Sequence, residues 1–234
     1  MSSSPFLCYN LKQMRESEGK KTMKQINLEL REYIRAHVFP DYSKNDPGHQ
    51  LNHIEYVIRR SLLFMDQFDC LNADMVYAAA AYHDIAHHIN KDQHEALSAK
   101  AFWENEEMKR FFTDEQRRII REAIEDHRSS SENPPRNDYG RVISSADRST
   151  DPDEFLRRTH AYSRKHFPEY TEEETRERCR QHMRDKYGRG GYAKSYVKDE
   201  EYIRFCSEIE RLLEDRQAFD GKYSQITGER KAED

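Results

Sequence analysis

Residues 72–88 read NADMVYAAAAYHDIAHH, and this stretch decides the fold. Asn72 is a residue type that caps helices, and behind it Met75, Val76 and four successive alanines run on without a breaker. The run predicts a helix. His83 follows Ala79 by four positions and Val76 by seven, which puts it on their inward face. Asp84 comes next. A buried His-Asp pair is costly unless an opposite charge meets it, and a divalent cation meets it well.

Outward from this stretch the chain reads as helix after helix. INLELREYIRAHVF (26–39) repeats apolar residues at helical spacing and stops in FPDYSKNDPG (39–48), with two prolines and a glycine. LNHIEYVIRRSLLFMDQF (51–68) predicts the second helix, and the alanine run the third, continuing through MVYAAAAYHDIAH. Asp92 is the expected cap of a fourth helix, HEALSAKAFWE (94–104), with Glu95 completing a capping box; Thr113 and Gln116 give the same box before RRIIREAIEDH (117–127). SSSENPPRND (129–138) reads as a loop and RVISSADRST (141–150) as the sixth helix. DEFLRRTHAYSRKHF (153–167) follows, then RERCRQHMRDKYG (176–188) behind a Thr171/Glu174 box, a flexible break at GRGG (188–191) and one long helix from about Asp199 to Ala218. No strand alternation is sustained and no internal repeat occurs, so the predicted fold class is all-α. The expected organisation is a flexible leader over 1–22, a metal-binding core over 23–151, C-terminal helices over 152–226 packing on that core, and a frayed tail over 227–234.

Composition narrows the function classes. Of the 234 residues, 35% are hydrophobic and 35% charged, with 14 Tyr and 11 Phe to thicken a core that aliphatic residues alone would leave thin. A formal net charge of -5 leaves no global basic field, which argues against a general nucleic-acid binder and leaves a small anionic substrate open. Four cysteines, at 8, 70, 179 and 206, lack CxxC spacing and suggest a reducing compartment. No apolar run approaches the ~18 residues that span a bilayer. The first residues, MSSSPFLCYNLKQMRESEGKK, have neither a basic n-region nor a sustained apolar h-region, so a cytoplasmic protein without a membrane partner is expected.

The second and sixth helices add the rest of a metal shell. His53 precedes Val57 by four positions, and Asp147 follows Ile143 by four. Two imidazoles and two carboxylates from three helices make a mixed nitrogen/oxygen shell, suited to Mn, Fe, Ni, Co or Mg.

In the pattern H53-IEY-V57, AAAAYH83-D84 and VISSAD147 the chain resembles the HD-domain superfamily of metal-dependent phosphohydrolases, over roughly residues 25–150. Members with two metals place further histidines where His94 and His127 stand. The resemblance then implies one or two divalent ions per chain, with Asp84 bridging them, His94 and His127 on the second, and hydroxide between the ions as nucleophile. The chain also departs from the superfamily. HDIAHH lacks the Glu-Asp pair of the alarmone hydrolases, and His87 stands where some members carry a lysine. His87, one turn after His83, is the candidate acid for the leaving group, and Asp84 the other catalytic candidate. Because His87 and His88 are adjacent, one at most points inward.

Arg128 and Arg148 directly follow two ligand candidates and, with Lys91, are the candidate phosphate contacts; each also fits an ordinary surface cation. His49 lies beside Gly48 in a loop and reads as a neighbour of the site. RGGYAKS (189–195) lacks the strand-to-helix setting of a phosphate loop and reads as a helix connector. The expected activity is hydrolysis of a phosphate ester or anhydride in a nucleotide-like small molecule. The expected partners are that substrate and, at most, a second copy of the chain. Two rivals share the residues: a diiron oxygenase of the HD type, and a non-catalytic module that holds a metal or nucleotide.

Overall fold

Ten α-helices and no strand occur among the residues that the computed structural model describes, 25–228. The chain divides after Asp147 into two units, four residues before the expected boundary. The leader expected over 1–22 lies outside the described residues.

The N-terminal unit holds α1 (Leu28–His37), α2 (Leu51–Phe64), α3 (Ala73–Tyr82), α4 (His94–Glu104), α5 (Asp114–Glu125) and α6 (Asp138–Ala146). Helix α3 is its axis and touches each of the other five. Every residue from Met75 to Tyr82 is buried. Four alanines in sequence let neighbouring helices approach α3 closely, and large side chains from outside fill the gaps: Leu30 and Ile34 of α1, Ile54 and Val57 of α2, Ile120 and Ile124 of α5, Val142 and Ile143 of α6. Caps fix where the helices begin. Asn72 accepts from Met75 N, and Thr113 and Gln116 form a full capping box.

Two expectations need correction here. The third helix does not run through His83. It ends at Tyr82, and tighter turns follow, with Ile85 N donating to Tyr82 O and His87 N to Asp84 O. Side chains claim the carbonyls that a longer helix would use: His83 Nδ1 takes Ala80 O, Tyr42 OH takes Ala81 O, and Asn45 Nδ2 takes Asp84 O. Nor do Asp92 and Glu95 form a capping box. Gln93 is the N-cap and makes no side-chain cap bond, and Glu95, two residues on, accepts from Arg128.

The C-terminal unit contains α7 (Pro152–His166), α8 (Glu172–Tyr187), α9 (Glu200–Glu214) and α10 (Arg216–Thr227) around a core of its own that includes Leu156, Cys179, Met183, Phe205, Ile209 and Phe219. The single long helix expected from Asp199 to Ala218 is two. Asp215 is extended (φ -105°, ψ 100°), and its carboxylate accepts from Ala218 N, so a cap interrupts the apolar stripe. GRGG is also no flexible break. Gly191 N donates to Gly188 O, Tyr192 N to Asp185 O and Ala193 N to Lys186 O, wrapping the chain onto the end of α8. A Cβ on Gly191 would stand 2.6 Å from Lys186 O, which is why glycine is required there. The tail expected to fray from 227 is still helical at Thr227, and Gly228 caps α10 at φ 74°; residues 229–234 lie outside the described residues. No described helix is long and apolar enough to cross a membrane.

Candidate metal centre

The N-terminal unit gathers its histidines at helix ends. His83 and Asp84 follow the last residue of α3, His94 opens α4, His127 comes two residues after α5, and Asp147 caps the C-terminus of α6; only His53 lies inside a helix, α2. Helix ends suit the task, since backbone groups without helical partners are there to orient side chains. In each of His83, His94 and His127, Nδ1 meets the carbonyl three residues earlier: Ala80 O at 2.8 Å, Lys91 O at 2.8 Å and Ile124 O at 2.7 Å. A carbonyl only accepts, so Nδ1 carries the proton and Nε2 presents a lone pair.

Those lone pairs converge on Asp84, whose two oxygens face different groups. Oδ2 is 3.4 Å from His83 Nε2 and 3.9 Å from His53 Nε2; Asp147 Oδ1 is 3.1 Å from His53 Nε2 and 3.9 Å from His83 Nε2. Oδ1 is 3.2 Å from His94 Nε2 and 3.3 Å from His127 Nε2, and these two nitrogens are 3.1 Å apart. Each group gives ligand atoms mutually within 4.8 Å: His53, His83, Asp84 and Asp147 in one; Asp84, His94 and His127 in the other. The structure therefore brings all six sequence candidates together.

The chemistry of this donor set fits divalent cations. His53 Nε2, His83 Nε2 and Asp84 Oδ1 are buried with no hydrogen-bond partner, a costly arrangement for acceptors unless positive charge lies among them. The site's pull on positive charge is visible in its proton affinities. Burial alone would lower His83, yet Asp84 beside it raises the imidazole to about 9. Burial would raise Asp84, yet the imidazoles of His83, His127 and His94 hold it well below the usual carboxylate range. Asp147 is likewise held low against burial by His53. The same attraction suits divalent cations with nitrogen and oxygen ligands.

The remaining candidates divide. His87 lies beside this centre, its ring 5.1 Å from that of His94. Burial and the neighbouring imidazole of His49 push it down to about 4. Lys91 is exposed in the turn whose backbone holds His94. Arg128 is occupied by protein groups: Nη1 donates to Glu95 Oε1 and Asp92 O, and Nε to Ser130 Oγ. Arg148 opens the C-terminal unit, where it is buried and its Nε donates to Lys194 O. Both guanidinium groups thus have intramolecular partners that the adjacency to His127 and Asp147 did not foretell. Glu95, which was read as a cap, neighbours His94. Its Oε2 is 3.0 Å from His94 Nδ1, which is itself held by Lys91 O, and its Oε1 holds Arg128.

The comparisons come to the same stretch. A model of the HD domain matches residues 51–150, which hold α2 to α6 and all six residues of the two groups. Comparison with curated proteins and with solved structures yields no match. The superfamily's members are in general phosphohydrolases, and its domains bind divalent metals. With the all-α bundle and the buried His/Asp cluster beside the match, residues 51–150 are an HD domain.

Proposed function

We propose that the chain is a metal-dependent phosphohydrolase acting on a phosphate ester or anhydride of a small, nucleotide-like molecule. One observation carries the reading: Asp84 turns one carboxylate oxygen to His53, His83 and Asp147 and the other to His94 and His127. A carboxylate shared in this way suits two cations held a short distance apart. When bound, such a pair polarises a phosphoryl oxygen and makes water nucleophilic near neutral pH.

The chain's own residues supply position. His83, His94 and His127 enter with their tautomers already set by backbone carbonyls, so little reorganisation is required on loading. Glu95 and Arg128 hold the His94 end of the site to the loop after His127. Lys91, exposed three residues before His94, is the cation best placed among the expected phosphate contacts to meet an anionic substrate. Arg128 serves the site through Glu95.

The test is a panel of phosphorylated metabolites offered to metal-depleted protein reloaded with Mn, Fe, Ni, Co or Mg, with phosphate release as the readout. Metal-dependent release that vanishes in Asp84→Ala supports the reading. Dioxygen-dependent turnover confined to the iron-loaded protein would replace it with the oxygenase, which the same six ligands could serve. No turnover with any metal, alongside tight nucleotide binding, would leave a binding module.

A further inference from the structure

A third set of ligand atoms lies outside the two groups built on Asp84. Asp46 Oδ2 is 2.8 Å from His49 Nδ1 and 3.3 Å from His87 Nδ1. The two imidazoles stack face to face, with centroids 3.9 Å apart and planes inclined by 21°. Ligand atoms of all three residues fall within 4.8 Å of one another. A cation with ligands at ~2.1 Å sets them about 3.0 Å apart at right angles and about 3.4 Å apart in a tetrahedron. The two measured separations lie close to those values.

The three residues are held on a frame. Asp46 Oδ1 accepts from Gly48 N at 2.8 Å, which fixes the carboxylate and leaves Oδ2 toward the rings. Asn45 is buried, and its Nδ2 donates to His49 O at 3.0 Å and to Asp84 O at 2.9 Å, while its Oδ1 accepts from His88 N at 2.9 Å. One side chain thus clamps the loop that carries Asp46 and His49 to the turn that carries His87. An Asp–His pair at a surface has no need of a second imidazole laid against the first and aimed at the same oxygen.

We propose that Asp46, His49 and His87 form a third divalent-cation site, separate from the two groups that share Asp84. Two imidazoles and one carboxylate suit zinc, cobalt, nickel or iron and leave coordination positions open. Half-exposed Asp46 puts those positions within reach of solvent. His87 is then a ligand through its Nδ1, which faces Asp46 Oδ2. The site adjoins the HD centre on two sides, the His49 ring 5.7 Å from that of His53 and the His87 ring 5.1 Å from that of His94. Filled, it would add positive charge at the edge of that centre. The proposal concerns binding and does not depend on which reaction the centre performs.

The test counts ions. Metal-depleted full-length protein is brought to equilibrium by dialysis against excess Co²⁺ or Zn²⁺, and bound metal per chain is measured by elemental mass spectrometry. Wild type is compared with His49→Ala and Asp46→Asn; the asparagine keeps an oxygen for Gly48 N. Each variant is expected to hold one ion fewer than wild type. Equal counts in wild type and both variants would overturn the proposal. Circular dichroism reports folding, and should His49→Ala fail to fold, Asp46→Asn decides alone. His127→Ala, measured beside them, reads the Asp84 centre independently, so a failure of one site is not mistaken for a failure of the other.

Discussion

His83, His94 and His127 repeat one device: an Nδ1–H given to the carbonyl three residues back and an Nε2 turned inward. At two of them a second layer is absent or purely backbone, but behind His94 stands Glu95, and behind Glu95 stands Arg128. Arg128→Ala should therefore loosen the second cation group and weaken the binding of one ion by about 10- to 100-fold. Competition with a chromophoric chelator measures this. A variant that binds both ions as wild type does, but shows a raised KM for a phosphorylated substrate, would return Arg128 to phosphate recognition. The six residues that the structure gathers around Asp84 were candidates in the sequence. Histidines and aspartates at inward positions of apolar helices carry their own signal, and His94 and His127 followed by resemblance. The supporting groups were not. Glu95 stands where a capping box would put it, its Arg128 partner is 33 residues away, and Asp46 looks like any turn residue before proline. A sequence shows which groups can bind metal more readily than which groups hold the binders still.

Helix α3 shows the same contrast one scale up. Its existence and its cap at Asn72 follow from residues 72–82 alone. Its end did not follow, since the groups that stop it, Tyr42 and Asn45, come from a turn some forty residues earlier. Ala79 is fully buried where neighbouring helices come close. Ala79→Leu should destabilise the N-terminal unit by about 1–3 kcal/mol through overpacking, seen as a lower urea midpoint in the fluorescence of Trp103, the chain's one tryptophan. An unchanged midpoint would mean that α3 has spare room. In the C-terminal unit the apolar spacing runs on past residue 215, so pattern alone predicts one helix. The break rests on a single carboxylate that caps α10, and periodicity does not see caps inside a continuous stripe.

At the scale of the molecule, the all-α class was legible, and the chain parts into two units after Asp147. The C-terminal unit has a pH response of its own. His182 on α8 stacks on Phe155 at 5.6 Å; burial, then the charges of Lys186 and Arg178, push it down to about 4. An unfolded histidine titrates near ~6.5. Between about 6.5 and about 4 the unfolded chain binds a proton that the folded chain refuses. Stability from this group is thus complete above that window and is lost as pH falls through it. Thermal melts followed by circular dichroism at about pH 7 and about pH 5 should show that loss, and His182→Phe, which keeps a ring against Phe155, should reduce it; identical pH dependence in the variant would mean that His182 titrates normally. The central claim is that one carboxylate organises two cations, and counting bound divalent metal per chain in Asp84→Ala and His127→Ala tests it most directly. At saturation and with the helical fold intact, Asp84→Ala should hold two ions fewer than wild type and His127→Ala one fewer. An Asp84→Ala protein that keeps the wild-type count, or loses no more than His127→Ala does, would contradict a centre built around Asp84.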